Sequence, residues 1–201
     1  MTFDQTEYEY EDFSECRPEE GKISRIKFRR CDFRAADFTD FVTEACVFEE
    51  CNFTAARLGA SVHQGSAFLN CRFSLARLFS AEFHRCKMIG SDLGGADCLG
   101  LLIDGGDWSL TSLQEIDFGR MALTDVNFRG SDLQNAGFEK ARLSGCNFEG
   151  ANLSGANFKN ADLRTCNIQG LDPFSVTLTG AKIDMEQAIY IAFCHGAKYT
   201  P

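Results

Sequence analysis

The stretch FEGANLSGANFKNADL, residues 148–163, repeats itself every five residues: Phe148, Leu153, Phe158 and Leu163 mark one beat, and Ala151, Ala156 and Ala161 mark another. A strand returns to one face every two residues and a helix about every 3.6, so neither keeps such a pattern on one side. A fixed period of this kind marks a solenoid, in which each unit stacks on its neighbours.

The beat does not slip on either side of this stretch. From Ile23 to Ile183 the register has 33 positions, and 29 of them are large and apolar; the exceptions are Thr43, His63, Cys98 and Pro173. Two places before each lies a mostly small residue, as at Ala36, Ala56, Ser66 and Ala76. Eight of the ten cysteines (Cys16, Cys31, Cys46, Cys51, Cys71, Cys86, Cys146 and Cys166) share that small phase, which makes them fillers of a narrow core. One large and one small inward residue in five suits a short extended edge followed by a tight turn. Four such edges close a square coil of 20 residues. Stacked at about 4.8 Å, the register predicts about eight coils and a rod of roughly 40 Å.

At 201 residues and 44 % hydrophobic content the chain is long enough for one folded domain. Its formal net charge of −9 argues against direct binding of nucleic acid or an anionic membrane. No apolar run approaches the roughly 18 residues of a spanning helix, and the acidic start MTFDQTEYEYEDF is unlike a signal peptide, so a cytoplasmic location is expected. The cysteines, without a secretion signal, are expected to be reduced.

Three segments are expected. Residues 1–20 carry eight acids against one base, Arg17, and form an acidic tail or a partial first coil, with partial order favoured. Residues 21–183 form the coil, with a bulge or loop at Pro173. Residues 184–201 form a helix and tail. Asp184 with Gln187 reads as a capping box, and Gly196 as the left-handed residue past the helix end. Met185, Ala188, Ile189, Ala192 and Phe193 make one apolar stripe, expected to serve a two-fold homodimer, while the helix also caps the last coil.

Catalytic motifs are lacking: the sequence has no GxSxG, HExxH, P-loop or dinucleotide fingerprint, and a core packed with Phe and Leu leaves no substrate cavity. An enzyme is not expected, nor a cofactor or metal. Cys31, Cys51 and Cys71 stack at intervals of 20, but as packing thiols, and His63 falls in a core phase where a hydrogen-bonded imidazole is the ordinary reading. Charge is more informative. Between Met88 and Gly119 stand Asp92, Asp97, Asp104, Asp107, Glu115 and Asp117 without a Lys or Arg. Counting coils puts Asp132 in line with Asp32 and Asp92, and Asp117 in line with Asp37 and Asp97. These acids either solvate the turns or form an anionic surface resembling duplex DNA, which carries one charge per roughly 1.7 Å.

ANLSG, ANFKN and ADLRT match the A(D/N)LXX signature, and the chain resembles the pentapeptide-repeat family from Ile23 to Ile183. That resemblance implies an all-β solenoid, a right-handed quadrilateral β-helix, here with a C-terminal capping and dimerisation helix. HQGSAFLNCRF, DGGDWSLTSL, MEQAIYIAFCHG and the unbroken register look like the MfpA and Qnr type of quinolone-resistance proteins. This narrower resemblance implies a homodimeric DNA mimic that occupies the DNA gate of DNA gyrase, with topoisomerase IV as a second candidate target. The projecting loops of the Qnr branch are missing here. On this reading Asp92, Asp97, Asp104, Asp107, Glu115, Asp117 and Asp132 are the gyrase-contacting residues. The alternative reading is a rigid scaffold for another protein partner.

Overall fold

The computed structural model describes residues 1–198; the last three residues of the expected C-terminal tail lie outside it. The chain divides into two compact units, Met1–Ser112 and Leu113–Pro201. Each is a four-sided parallel β-helix of five-residue sides.

In the first unit one side is a sheet of Glu7–Glu9, Lys27–Arg29, Val47–Glu49 and Ala67–Leu69, and another is built from Lys22–Ser24, Val42–Glu44, Val62–Gln64, Glu82–His84 and Leu102–Asp104. All pair in parallel at a register of 20 residues, as in Tyr8 with Phe28 and Phe28 with Phe48. The other two sides are ladders of single bridges, Asp32 to Asn52 to Arg72 to Asp92 and Asp37 to Arg57 to Arg77 to Asp97. The second unit repeats the plan, with Ala122–Thr124 on Arg142–Ser144. Residues 1–20 belong to the coil: Glu7–Glu9 pairs with Lys27–Arg29, and Asp12 bridges Asp32.

The sequence beat maps onto this plan directly. Inward phenylalanines stack on those one coil away: Phe28, Phe48 and Phe68 lie 4.9 and 4.8 Å apart, and Phe33, Phe53 and Phe73 4.9 and 4.9 Å. Rings on adjoining sides meet edge to face, as Phe48 meets Phe53 at 5.4 Å. Both arrangements suit the ring quadrupole. Nearly every side ends in a residue with positive φ, from Tyr10 and Glu15 through Ala35 and Ala55 to Thr165, or in glycine, with Glu20 and Ser175 the exceptions. Most of these corners accept ordinary residues. Just past the corner at Gly105, Gly106 tolerates no side chain, because a Cβ there would lie 2.2 Å from the Cys86 carbonyl oxygen at a φ of +99°. At Pro173 the ladder slips by one residue: Gly155 N donates to Ser175 O, whereas Asn135 N donates to Ser154 O. Proline has no N–H to give the ladder, and the bulge falls where it stands.

His63 breaks the apolar core without breaking its hydrogen bonding. Ser61 spends its hydroxyl proton on Leu58 O at 2.8 Å, so its oxygen accepts from His63 Nε2–H at 2.9 Å. On the other side of the ring Nδ1 accepts from Thr43 at 2.8 Å, Thr43 accepts from Ser66 at 2.9 Å, and Ser66 accepts from Cys46 N at 3.2 Å. With the Ser61 proton committed to Leu58 O, the arrangement fits the neutral Nε2–H tautomer. Complete burial lowers the pKa of His63 to about 3. The unfolded chain therefore takes up a proton near pH 6.5 that the folded chain refuses. The stabilising contribution is full above pH 6.5 and is lost as pH falls towards 3, costing about 3 kcal/mol between pH 7 and 4.5. Urea unfolding across that range should show His63→Phe less stable than the parent at pH 7 but with a flatter pH dependence; parallel curves would rule out the neutral buried imidazole.

Candidate functional site

Where Asp or Asn stands before a core residue, it has a structural role there. Its side-chain oxygen accepts the backbone N–H two residues on: Asp92 from Gly94 at 2.9 Å, Asp97 from Leu99 at 3.2 Å, Asp107 from Ser109 at 3.1 Å, Asp117 from Gly119 at 2.8 Å and Asp132 from Gln134 at 3.2 Å. Asn serves equally well at Asn52, Asn127, Asn147, Asn152, Asn157 and Asn167. Where the turn takes an acceptor, an amide oxygen serves as well as a carboxylate, and at Arg72 and Arg77 the same position does without one. Carboxylate at Asp92, Asp97, Asp107, Asp117 and Asp132 is thus more than the fold requires.

In the first unit Asp92, Asp97, Asp104 and Asp107 occupy one coil, one on each side. They form a ring around it and do not share a single face. Asp92 and Asp97 are exposed and make no ion pair with a described residue. Asp104 differs, since it lies 3.2 Å from His84 Nδ1 while Glu82 lies 2.9 Å from Nε2. The bond to Glu82, followed by that to Asp104, raises the His84 pKa, so that protonation adds a cation beside Asp104 as pH falls. In the second unit Glu115 and Asp117 are exposed on one coil. Asp117 stands in an open depression of about 450 Å³ with Gly119, Arg120, Gly137, Glu139 and Asn157. Asp132 is half-buried and also accepts from Asn152 at 3.0 Å and from Gln114.

The acid-only window of sequence is not acid-only in space. Arg72 bridges Asp92, Arg77 bridges Asp97 and Lys87 bridges Asp107, so a ring of cations lies one coil below the ring of acids. Folding the sequence at 20 residues per row would have shown this. The acidic start is likewise balanced: Glu7 and Glu49 flank Lys27 at 3.8 and 3.7 Å, and Glu9 and Glu49 flank Arg29 at 3.5 and 3.3 Å.

The helix spans Met185–Cys194 with Asp184 as N-cap, and Gln187 closes the capping box at 3.0 Å in both directions. Two polar residues seat it. Gln187 Nε2 donates to Leu163 O at 2.7 Å and Cys166 O at 2.8 Å, and Tyr190 OH accepts from Gly170 N at 2.9 Å while donating to Leu171 O at 3.1 Å. Sequence reading found Gln187 only as a capping residue and missed Tyr190. The apolar stripe points elsewhere: Met185 is 79 % exposed, Phe193 52 %, and Ala188 and Ala192 are exposed, with Ile189 half-buried. With Ala197 and Lys198 they line a groove of about 340 Å³. Among the described residues no cluster of His, Cys, Asp and Glu fits a metal ion, and no helix is long and apolar enough to cross a membrane.

Comparison with known proteins follows the same lines. The family of pentapeptide repeats matches residues 64–95 and 132–170, in eight copies. None of the curated proteins matches the chain. Among solved structures, a trypsin-treated variant of QnrB1, a plasmid-mediated fluoroquinolone resistance protein, superposes with a TM-score of 0.83 at 24 % identity, over 96 % of this chain and 97 % of that one. Full-length QnrB1 gives 0.64 at 20 % identity, over 95 % and 100 %. At such identity the likeness is one of fold.

Gln187→Ala should leave the Cys166 carbonyl without its donor, remove one of the two donors to Leu163 O, and cost about 1–3 kcal/mol, with Tyr190→Phe costing less. Hydrogen exchange should speed up around residues 163–171 and leave the first unit unchanged; unaltered protection there would show that the helix is not a cap.

Proposed function

We propose that this chain, in which residues 64–95 and 132–170 match the family of pentapeptide repeats, is a non-enzymatic protein that binds DNA gyrase and gives resistance to quinolones or to a natural topoisomerase poison. The observation that carries the reading is the excess of carboxylate at Asp92, Asp97 and Asp117. There the fold asks only for an acceptor, and the sequence supplies an exposed charge. Periodic surface carboxylates, with Asp104, Asp107, Glu115 and Asp132 near them in sequence, offer a DNA-binding surface the anionic pattern it is built to hold. The fold shared with a fluoroquinolone resistance protein supports the drug-related role. A cytoplasmic location is part of this proposal.

The same oxygen that holds each turn makes the test clean. Asn keeps the acceptor and removes the charge, so the Asp92→Asn, Asp97→Asn, Asp117→Asn triple variant should melt close to the parent. In a supercoiling assay with purified gyrase it should need at least about tenfold more protein for half-inhibition, with a shallower dependence on salt. Undiminished inhibition would remove the charge mechanism, and an inert parent chain would remove gyrase as the partner.

The exposed helix stripe supports a two-fold homodimer through Met185, Ala188, Ile189, Ala192 and Phe193, because Gln187 and Tyr190 already satisfy the coil end and leave this face uncovered. Met185→Glu with Phe193→Glu should halve the mass measured by sedimentation equilibrium while the circular dichroism stays the same. A parent that sediments as a monomer would dispose of the dimer.

A further inference from the structure

Whereas Leu69 and Ile89 on another side are half-buried, one side of the first unit has a column in which the residue after the core residue becomes both apolar and exposed. In that column Glu19, Thr39 and Gly59 give way to Phe79 and Leu99, which are 51 % and 70 % exposed in successive coils. Ser80 N donates to Leu99 O at 2.9 Å, which holds the two coils in register here. Leu75, 68 % exposed, stands at the corner leading into the same side. Their neighbours are small: Gly59 and Gly100 lie on the flanks, and a Cβ at Gly95 would meet nothing within 4 Å. The three apolar side chains therefore project from the surface.

Their place ties them to the charges. Leu99 N donates to the Asp97 carboxylate at 3.2 Å, and Arg77 bridges Asp97 from the coil below. Arg77 is exposed and has no ion-pair partner among the described residues. A partner surface that reaches Asp97 lies within one coil step, about 5 Å, of Leu99, Phe79 and Arg77. Nothing in a DNA backbone corresponds to Phe79 or Leu99, so this side cannot act by charge imitation alone.

We infer that Phe79 and Leu99, with Leu75 at their edge, are the apolar anchor of the gyrase interface that Asp97 belongs to. This rests on the proposed function. The occupant is a hollow on gyrase with apolar walls and an acceptor for Arg77, set beside the basic surface that meets Asp97. Charge contacts at the edge bring the partners together and weaken with salt, whereas the anchor contributes an attraction that salt leaves in place.

Binding of the full chain to reconstituted gyrase, measured at several salt concentrations between about 50 and 300 mM, separates the two contributions. Phe79→Ser with Leu99→Ser should weaken binding by about tenfold or more at every salt concentration without changing the salt slope. Asp97→Asn should flatten the slope. Leu110→Ser, which removes an exposed leucine outside the cluster, should bind as the parent does. Each single variant, Phe79→Ser and Leu99→Ser, is measured with its melting curve, so that a loss of binding is read only from folded protein. Parental affinity in the double variant overturns the anchor while leaving gyrase as the partner. An equal loss in Leu110→Ser, or a changed slope in the double variant, also overturns it. Failure of the parent chain to bind gyrase at any salt concentration removes the proposed function and the anchor with it.

Discussion

Backbone hydrogen bonding between residues one coil apart governs everything else in this protein. Cys51 O accepts from Arg72 N, Cys71 O from Asp92 N, Ala56 O from Arg77 N and Ala76 O from Asp97 N, always at the same offset. A side of five residues can keep that offset only if its corner turns sharply, which is why residues such as Ala35 and Ala55 sit in the left-handed region. It also needs one inward side chain large enough to meet its counterparts at the centre and one small enough to pass the wall. The ladder satisfies the backbone and the phenylalanine stacks fill the middle, leaving the outward positions free of any duty to the core.

That freedom explains what could be read from the sequence and what could not. The inward positions are constrained one at a time, so Phe148, Leu153, Phe158 and Leu163 announce the coil by themselves, and Asp184 with Gln187 announces the helix start. Even His63 was legible as a hydrogen-bonded core residue, although its partners Thr43, Ser61 and Ser66 are not adjacent in sequence. The outward positions take their meaning from residues 20 away. Asp92 and Asp97 read as part of an acidic window when the chain is scanned in order, yet their nearest neighbours along the ladder are Arg72 and Arg77. The acids of the first residues read as a tail or a partial first coil, and what the linear text leaves out is that Glu7 and Glu9 are partnered by Lys27 and Arg29. Charge on a solenoid is a two-dimensional pattern, and one dimension of it is hidden in the linear text.

The side chains by which the helix covers the coil were not legible, for a related reason. Hydrophobic spacing picks out Met185, Ala188, Ile189, Ala192 and Phe193, and by analogy with globular helices such a stripe would be the face that packs inward. A coil end differs from an ordinary core surface because it presents unpaired backbone groups as well as apolar side chains. Covering it calls for hydrogen-bonding side chains, and Gln187 and Tyr190 meet the backbone of Leu163, Cys166, Gly170 and Leu171. Propensity and periodicity are blind to that requirement. The apolar stripe is then left on the outside, where it calls for a different explanation.

Two kinds of evidence for selection on the surface follow from this division. Where the fold requires an acceptor and Asn would do, Asp adds a charge the turn does not use. Where the fold requires nothing, as at Phe79 and Leu99, an exposed apolar side chain adds area that water disfavours. Neither choice strengthens the ladder or the aromatic stacks, and each departs from the coil immediately below, where Arg72, Arg77 and Gly59 stand beneath Asp92, Asp97 and Phe79. In a fold that repeats its own control experiment every five residues, such departures stand out against an internal baseline. They converge on the side that carries Arg77, Asp97 and Leu99, where charge of both signs and apolar surface lie within two coils of one another. A surface that only solvated the coil would have no reason to collect all three there, which is the ground for treating that side as built for a protein partner.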